Sequence, residues 1–317
     1  MAGKMLLAVL LLSVSAVFIV EGSCPNADLI APCYCNVESG SAIVTCSSIQ
    51  HTRDLENLSS HSEGYPYKEV RIVSSTLQSI PVVILEKVKM QSLVLSELNL
   101  KELFNGVPRT MSNLKTLTIQ SVTLEEEFQW KYFQYTKALE TLLIDHVDIP
   151  KIKPEFNQFV THDLLKVSFA FTKTDEIQTG AMKDFRNLRS ITVAHNNLQT
   201  LYRGSLPRPY NGIHLDFQYN KLSEIKENVF SDMKKLKSVY FNNNDISLLS
   251  RPSESGVYDN IDRIDLSNNP IDCSCKVQWI PEVKPKGLVG RCATPQKFRG
   301  KELVRLTADD FSECYTH

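Results

Sequence analysis

The stretch "IDLSNNPI", from Ile264 to Ile271, has apolar residues at its first, third and eighth positions and an asparagine, Asn269, at its sixth. The same frame recurs upstream around three more asparagines, Asn196, Asn220 and Asn244. Five further frames keep the apolar positions but lack the asparagine, and they begin at Val70, Leu93, Leu117, Leu142 and Val167. Successive frames start 23 to 25 residues apart, so we interpret the middle of the chain as nine copies of one structural unit.

Each frame has the pattern of a short strand followed by a turn. Apolar residues at alternate positions point to one side of a strand, and strands stacked about 4.8 Å apart form one sheet. The asparagine lies inside the turn, where its amide must bond backbone groups because a buried unpaired amide is costly. The segments that lead to the next strand contain helix-like pieces, such as Thr179–Leu188 and Lys226–Leu236. The sequence predicts an α/β solenoid, a leucine-rich repeat horseshoe with a parallel concave sheet and nine repeats over residues 66–272.

The asparagine position is not uniform along the array. We expect a ladder of hydrogen-bonded side chains over Asn196, Asn220, Asn244 and Asn269. The five earlier frames hold other residues at this position: Ser75, Leu98, Val122, Val147 and Thr172. Since three of these side chains cannot form hydrogen bonds, we expect the ladder to be absent there and the turns to differ locally.

Eight cysteines lie at the two ends of the chain, and none lies between Cys46 and Cys273. A solenoid exposes an apolar cross-section at each end, which terminal segments must cover. We therefore predict an N-terminal cysteine cap over residues 23–65 and a C-terminal cysteine cap over residues 273–317. Close cysteines such as Cys273 and Cys275 also occur in metal and redox sites, but the C-x2-C spacing typical of zinc is missing. We expect disulfides and no metal, although spacing alone leaves their pairing open.

The first twenty-two residues have the form of a secretory signal. Lys4 supplies a positive charge, an apolar run follows, and small residues precede a cleavage site before Ser23. A membrane anchor is the alternative, but the 16 residues of Met5–Val20 are short for a membrane span. We expect residues 1–22 to be a signal peptide, and the mature protein to be secreted, extracellular and without a membrane anchor.

The cysteine spacing at both ends resembles that of a known family. The patterns C-x8-C-x-C-x10-C at the start and C-x-C-x16-C-x21-C at the end resemble the paired cysteine caps of extracellular leucine-rich repeat proteins. In that family the first cysteine of a cap pairs with the third, and the second pairs with the fourth. The resemblance implies four disulfides here: Cys24–Cys35, Cys33–Cys46, Cys273–Cys292 and Cys275–Cys314.

The opening "CPNADLIAPCYC" (Cys24–Cys35) and the asparagine-poor early frames resemble a narrower family. It consists of secreted arthropod leucine-rich repeat proteins and includes the non-catalytic subunit of oplophorus-luciferin 2-monooxygenase. The resemblance implies a protein that stabilises a secreted enzyme without taking part in its chemistry. It does not by itself imply bioluminescence, since that chemistry belongs to the other subunit.

The candidate binding residues face outward from the strands on the concave side. One column holds rings in four adjacent repeats: His146, Phe171, His195 and Tyr219. Because exposed aromatic residues on a rigid face are typical contact anchors, we predict a binding strip there, together with Asp145, Asp216 and Tyr240. The alternative is that these are ordinary exposed side chains at strand ends. The two histidines stand two repeats apart, about 9–10 Å, which is too far for one metal ion.

The sequence offers no evident site for catalysis or for nucleic acid. Asp216 and Asp265 lie two repeats apart on a shallow face, without the enclosure that carboxylate catalysis needs. The net charge is −1, and no Walker loop, HExxH or GxSxG motif occurs. We predict a non-enzymatic module without a cofactor, which binds a protein ligand or a partner subunit on its concave face. The alternatives are a soluble innate-immune or developmental recognition factor, and a monooxygenase component with activity of its own.

One further motif concerns modification. Asn57 begins "NLS", the only N-glycosylation sequon of the chain with a non-proline middle residue. It lies between the N-terminal cysteines and the first frame. In a secreted protein we expect Asn57 to carry a glycan.

Overall fold

The computed structural model describes residues 22–110, 113–254 and 256–315. Apart from Gly22, the predicted signal peptide lies outside these residues. The strands, in chain order, are β1 (Tyr34–Glu38), β2 (Ser41–Ser47), β3 (Tyr67–Leu77), β4 (Met90–Leu100), β5 (Thr116–Leu124), β6 (Thr141–Asp145), β7 (Lys151–Ile152), β8 (Lys166–Ala170), β9 (Glu176–Ile177), β10 (Ser190–Ala194), β11 (His214–Asp216), β12 (Glu224–Ile225), β13 (Ser238–Tyr240), β14 (Leu248–Leu249), β15 (Arg263–Asp265), β16 (Ile271–Asp272), β17 (Leu288–Val289) and β18 (Cys292–Thr294). The α-helices are α1 (Ala27–Ile30), α2 (Thr52–Ser60), α3 (Val82–Lys87), α4 (Pro154–Phe159) and α5 (Trp279–Val283). Short 3₁₀ helices lie at Trp130–Phe133, Arg203–Ser205, Cys275–Val277, Gln296–Phe298, Leu303–Arg305 and Ala308–Tyr315.

Within the described residues, twelve strands form one long sheet in the order β1-β2-β3-β4-β5-β6-β8-β10-β11-β13-β15-β17. β1 is antiparallel to β2, and all later neighbours are parallel. The register sets the first apolar residues of the nine frames opposite one another: Val70, Leu93, Leu117, Leu142, Val167, Ile191, Leu215, Val239 and Ile264. The structure thus confirms the α/β solenoid of leucine-rich repeats with a parallel sheet.

Both terminal caps extend this sheet, the N-terminal cap by β1 and β2 and the C-terminal cap by β17. Val44 in β2 lies opposite Val70, and Leu288 in β17 lies opposite Ile264. The caps are closed by four disulfides, which are the pairs that the family resemblance implies: Cys24–Cys35, Cys33–Cys46, Cys273–Cys292 and Cys275–Cys314. Covalently fixed segments therefore cover both ends of the apolar core.

The return segments, which connect each strand to the next, supply aromatic side chains to the core. Trp130 meets Phe156 and Phe169 edge-on, with ring centroids 4.8 and 6.0 Å apart. Trp279 stacks on Tyr258 with a centroid distance of 5.7 Å. Such pairs add about 0.5–1.5 kcal/mol each beyond the burial of their area.

The helix-like return segments predicted over Thr179–Leu188 and Lys226–Leu236 are turns and not helices. Gly180, with φ of 86°, and Asp232, with φ of 61°, interrupt them with a left-handed backbone. A right-handed helix cannot continue through such residues. Among the described residues, no helix is long and apolar enough to cross a membrane.

In the first three repeats the sheet continues past the turn position. After one left-handed residue in each strand, pairing resumes, and Ser75, Leu98 and Val122 lie opposite one another in β3, β4 and β5. These strands are therefore eleven, eleven and nine residues long. Main-chain bonds between neighbouring strands here take the place of the missing asparagine side chains. In the first repeat the Ser75 hydroxyl adds to them, accepting from the N–H of Ile49 at 2.9 Å and donating to the carbonyl of Val73 at 2.8 Å.

In the later repeats the strands end earlier and the asparagines take over. Asn244 illustrates the arrangement: its Oδ1 accepts from the N–H of Leu222 at 3.0 Å. Its Nδ2 donates to the carbonyls of Phe217 at 3.0 Å and Phe241 at 2.9 Å. Equivalent bonds are made by Asn196, Asn220 and Asn269. Each buried asparagine ties its own repeat to the preceding one.

Candidate functional site

One concave column has a left-handed backbone in every repeat. Directly before the ladder position, nine non-glycine residues have φ between 47° and 58°: Ser74, Glu97, Ser121, His146, Phe171, His195, Tyr219, Asn243 and Asn268. This region crowds Cβ against the backbone, and asparagine tolerates it better than bulky residues do. Asn243 and Asn268 fit that preference, whereas Phe171 and Tyr219 do not.

Four of these residues, His146, Phe171, His195 and Tyr219, form a continuous stack that we call the ring block. Successive ring centroids are 4.4, 4.3 and 4.2 Å apart, and the ring planes lie within 16° of parallel. The spacing follows from the sheet, because each ring occupies the same position in its repeat and strands lie about 4.8 Å apart. Since the rings cover one another's faces, mainly their edges are left for a partner.

The ring block stands beside small side chains. Phe171 and Tyr219 are 43% and 46% exposed. The residues directly before Phe171 and His195 are Ala170 and Ala194, which form a low floor next to the stack. A partner can therefore reach the ring edges without displacing large side chains.

Asp145 orients the first ring of the block. Its Oδ1 lies 2.9 Å from Nδ1 of His146, and an imidazole N–H donates to the carboxylate there. This contact fixes the ring orientation and presents Nε2 away from Asp145. No group of three or more metal-ligating side chains suited to an ion is found in the part of the chain that the structure describes.

The structure separates Asp216 and Tyr240 from the ring block. Tyr240 is the last residue of β13, with its ring centroid 5.3 Å from that of His214 and 5.8 Å from the guanidinium carbon of Arg263. Asp216 accepts from the backbone N–H and the side-chain amide of Gln218, both at 3.1 Å. The seven predicted residues thus form two groups, the ring block with Asp145 and a polar group around Tyr240.

Sequence analysis missed His214 and Arg263. They belong to the outward column one residue before the first apolar position of each frame, which strand alternation alone would have revealed. His214 Nδ1 lies 2.9 Å from the Ser238 hydroxyl. Burial, together with Lys166, lowers the pKa of His214 below its ordinary value of 6.5, and Asp216 only partly offsets this.

Asp265 is the most buried concave carboxylate, at 8% exposure. Burial alone would raise its pKa, but hydrogen bonds from Ser267 and Arg263 outweigh burial and lower the pKa below 3.8. The backbone N–H of Ser267 donates at 3.0 Å and the Arg263 guanidinium at 2.7 Å. Asp265 is therefore held as an anion and is occupied by its own chain.

An open cleft lies away from these residues. It has a volume of about 510 Å³ and flanks the strand starts of the first repeats, beside Lys68, Lys89 and Lys115. All three lysines are exposed, and Lys115 pairs with Glu140 at 3.2 Å. The cleft contains none of the predicted binding residues, which lie on the open face of the sheet.

Asn57 lies on the exposed side of α2. The hydroxyl of Ser59, the third residue of its sequon, is buried and donates to the carbonyl of Leu55 at 3.1 Å. Glycosylation of Asn57 stays a prediction.

Comparison with known proteins agrees with this geometry. The model of the family described as "Leucine rich repeat" matches residues 186–246, which hold three of the asparagine-bearing frames. A solved structure described as an octameric complex of Latrophilin 3, Unc5D and FLRT2 (LRR) matches with a TM-score of 0.59, covering 84% of this chain and 90% of the matched chain. The protein has the leucine-rich repeat fold. At 17% identity the structural likeness shows the fold of this leucine-rich repeat protein and nothing finer. No curated protein sequence matches it.

Proposed function

We propose that this leucine-rich repeat protein is a secreted, non-enzymatic module that binds another protein through the ring block. One observation carries the proposal: four adjacent repeats place a ring on a left-handed backbone, and three of these rings are exposed. A left-handed conformation costs about 1–2 kcal/mol for an ordinary residue. Each of the three ring pairs returns about 0.5–1.5 kcal/mol, so stacking offsets only part of the backbone strain of the four residues and the rings are not a net source of stability.

Because the rings add no net stability to the fold, their presence on the surface is better explained by contact with a binding partner. Aromatic side chains on a rigid surface bury large areas when a partner covers them, with little loss of rotamer freedom. Phe171 and Tyr219 still have nearly half of their surface available. The low floor at Ala170 and Ala194 provides room beside them.

The concave carboxylates support a non-enzymatic role. Asp216 and Asp265 lie two strands apart, with Tyr240 on the strand between them. Each carboxylate is bonded within the chain, to Gln218 in one case and to Ser267 and Arg263 in the other. A catalytic pair of carboxyl groups needs one member with a raised pKa in an enclosed site. The pKa of Asp265 is instead lowered.

Four disulfides support secretion, since they form and persist in oxidising compartments. The predicted signal peptide and the sequon at Asn57 point the same way. Affinity capture from the fluid of the source tissue tests the proposal directly. We expect the wild-type protein and a Tyr135→Asn control, at a ring 40% exposed on a return segment, to retain the same partner. The Phe171→Asn/Tyr219→Asn double variant should lose it, and undiminished capture by that variant would refute the proposal.

The family resemblance makes the stabilising subunit of a luciferase-type enzyme the first partner class to test. A soluble innate-immune or developmental recognition factor would instead capture a receptor or a foreign protein. The remaining alternative is monooxygenase activity of the chain itself. We expect the purified chain to emit no light with a coelenterazine-type luciferin, and sustained emission would overturn the non-enzymatic assignment.

A further inference from the structure

The concave face of the fourth to ninth repeats changes the sign of its charge when its histidines are protonated. Its outward columns carry two permanent cations, Lys166 and Arg263, and three carboxylates, Asp145, Asp216 and Asp265. With neutral histidines the formal charge is therefore −1. Protonating the three histidines of the same columns, His146, His195 and His214, brings it to +2.

We infer that this face binds a carboxylate-rich segment of its protein partner, and that binding tightens as the pH falls through the histidine range. The inference rests on the proposed function, because it concerns the partner of the ring block. It adds the chemical class of that partner and the condition that favours binding.

Hydrogen bonding points to an acceptor-rich partner. The three concave carboxylates are already engaged, by His146, by Gln218, and by Ser267 with Arg263. Several donors are left over: within the described residues the Lys166 ammonium, the His195 ring and the Tyr219 hydroxyl have no side-chain hydrogen bond or ion pair. Ring edges also carry positive partial charge, so the exposed edges of the ring block attract oxygen atoms.

The surroundings of each histidine show how a proton would be accommodated. His146 contacts the carboxylate of Asp145, so its charged form gains an ion pair. His195 lies between the faces of Phe171 and Tyr219, at 4.3 and 4.2 Å, where a cation is attracted by both rings.

His214 differs, because it is partly buried and faces a mixed set of groups. The hydroxyl of Ser238, the ring of Tyr240, the carboxylate of Asp216 and the ammonium of Lys166 surround it. With its pKa lowered by burial and Lys166, His214 gains its proton at a lower pH than an unperturbed histidine does. The two histidines of the ring block belong to the proposed binding surface and are tested first.

The test uses fluorescence anisotropy with two labelled peptides, one alternating aspartate and leucine and one alternating lysine and leucine. Lowering the pH from about 8 to about 5.5 crosses the histidine range and leaves aspartate ionised. We expect the acidic peptide to bind the full disulfide-bonded protein about tenfold more tightly at the lower pH, and the basic peptide to show no such gain. The His146→Gln/His195→Gln variant should lose the acid response, and the control His51→Gln, in the N-terminal cap, should keep it.

The outcomes separate this inference from the proposed function. Equal binding of the acidic peptide at both pH values, or tighter binding of the basic peptide on acidification, would overturn the inference. An acid response that persists in His146→Gln/His195→Gln would do the same. None of these results contradicts the proposed function if Phe171→Asn/Tyr219→Asn still abolishes capture of the natural partner. Undiminished capture by that variant would refute the proposed function itself.

Discussion

The first three repeats and the last four satisfy the same buried backbone groups in different ways. In β3, β4 and β5 the strands continue past the left-handed residue. Main-chain pairing at Ser75, Leu98 and Val122 satisfies the buried backbone groups there. From β10 onward the strands stop and a buried asparagine bonds the turn. The comparison teaches that the apolar frame sets the solenoid, while a longer strand or a buried asparagine can satisfy the turn. The ladder residue alone does not set the strand end, because β5 continues through Val122 whereas β6 ends before Val147.

The ring block begins at the point of the array where the extended strands end. It begins at His146, directly after β6, the first strand of the array to end at the left-handed column. In the three longer strands that column holds Ser74, Glu97 and Ser121. The rings therefore occupy repeats whose sheet ends beside them.

The largest expected effect comes from removing a ladder asparagine. Asn244→Leu leaves the N–H of Leu222 and the carbonyls of Phe217 and Phe241 without their side-chain partner. Buried unsatisfied groups cost about 1–3 kcal/mol each, so we expect the free energy of unfolding to fall by about 3–5 kcal/mol. Urea denaturation measures this. The control Asn228→Leu, at an exposed asparagine of the preceding return segment, should change stability little. Similar losses in both variants would contradict the ladder's role.

Placing an asparagine in an early repeat tests the same comparison in the opposite direction. Leu98 is 1% exposed, and its backbone is already paired in the sheet. Leu98→Asn buries an amide in a turn that offers it no free backbone group, and we expect a loss of about 2–4 kcal/mol in unfolding free energy. An increase in the urea midpoint would mean that the early repeats can adopt the asparagine turn.

A smaller effect is expected at the ring block. Phe171→Asn relieves a left-handed phenylalanine by about 1–2 kcal/mol but removes two ring contacts of about 0.5–1.5 kcal/mol each. The terms nearly cancel, so the thermal midpoint should stay close to that of the wild type. A marked loss of stability would show that the stack holds the fold together, which would weaken the case for it as a contact surface.

The smallest effect concerns pH. The pKa of His214 is lowered in the folded state, so between that pKa and 6.5 the unfolded chain binds more protons than the folded one. Its contribution to stability is complete above pH 6.5 and is lost as the pH falls toward the folded pKa. Urea midpoints across this range should therefore decline less for His214→Gln than for the wild type. Parallel curves for the two proteins would refute the assignment.

Much of the fold follows from the spacing of the frames. Because each frame repeats its apolar positions, the pairing of Val70 with Leu93 and onward to Ile264 can be read directly from the sequence. The extension of β3 to β5 cannot, since Leu98 and Val122 show only that asparagine is missing and not what replaces it. The predicted helices at 179–188 and 226–236 failed because the apolar pattern carries no information on the left-handed residues Gly180 and Asp232.

The site was less predictable. The four rings could be listed from adjacent frames, but their parallel stacking depends on the left-handed backbone before the ladder position, which apolar periodicity does not encode. Asp216 and Tyr240 were grouped with them because column adjacency ignores distance along the strand. His214 and Arg263 lie in the outward column before the first apolar position, outside the frame from which the binding strip was predicted.

The left-handed column has a consequence for how such a protein changes over generations. In every repeat a left-handed residue stands directly before a buried ladder residue, so the codon of a proposed contact residue is followed by the codon of a folding residue, as that of Tyr219 is followed by that of Asn220. Point mutations at the contact residues can change the surface, while the ladder residues stay under selection for folding. Lineages of this architecture should therefore acquire new partners through single-nucleotide steps at nine positions spaced 23 to 25 residues apart, without passing through unfolded intermediates.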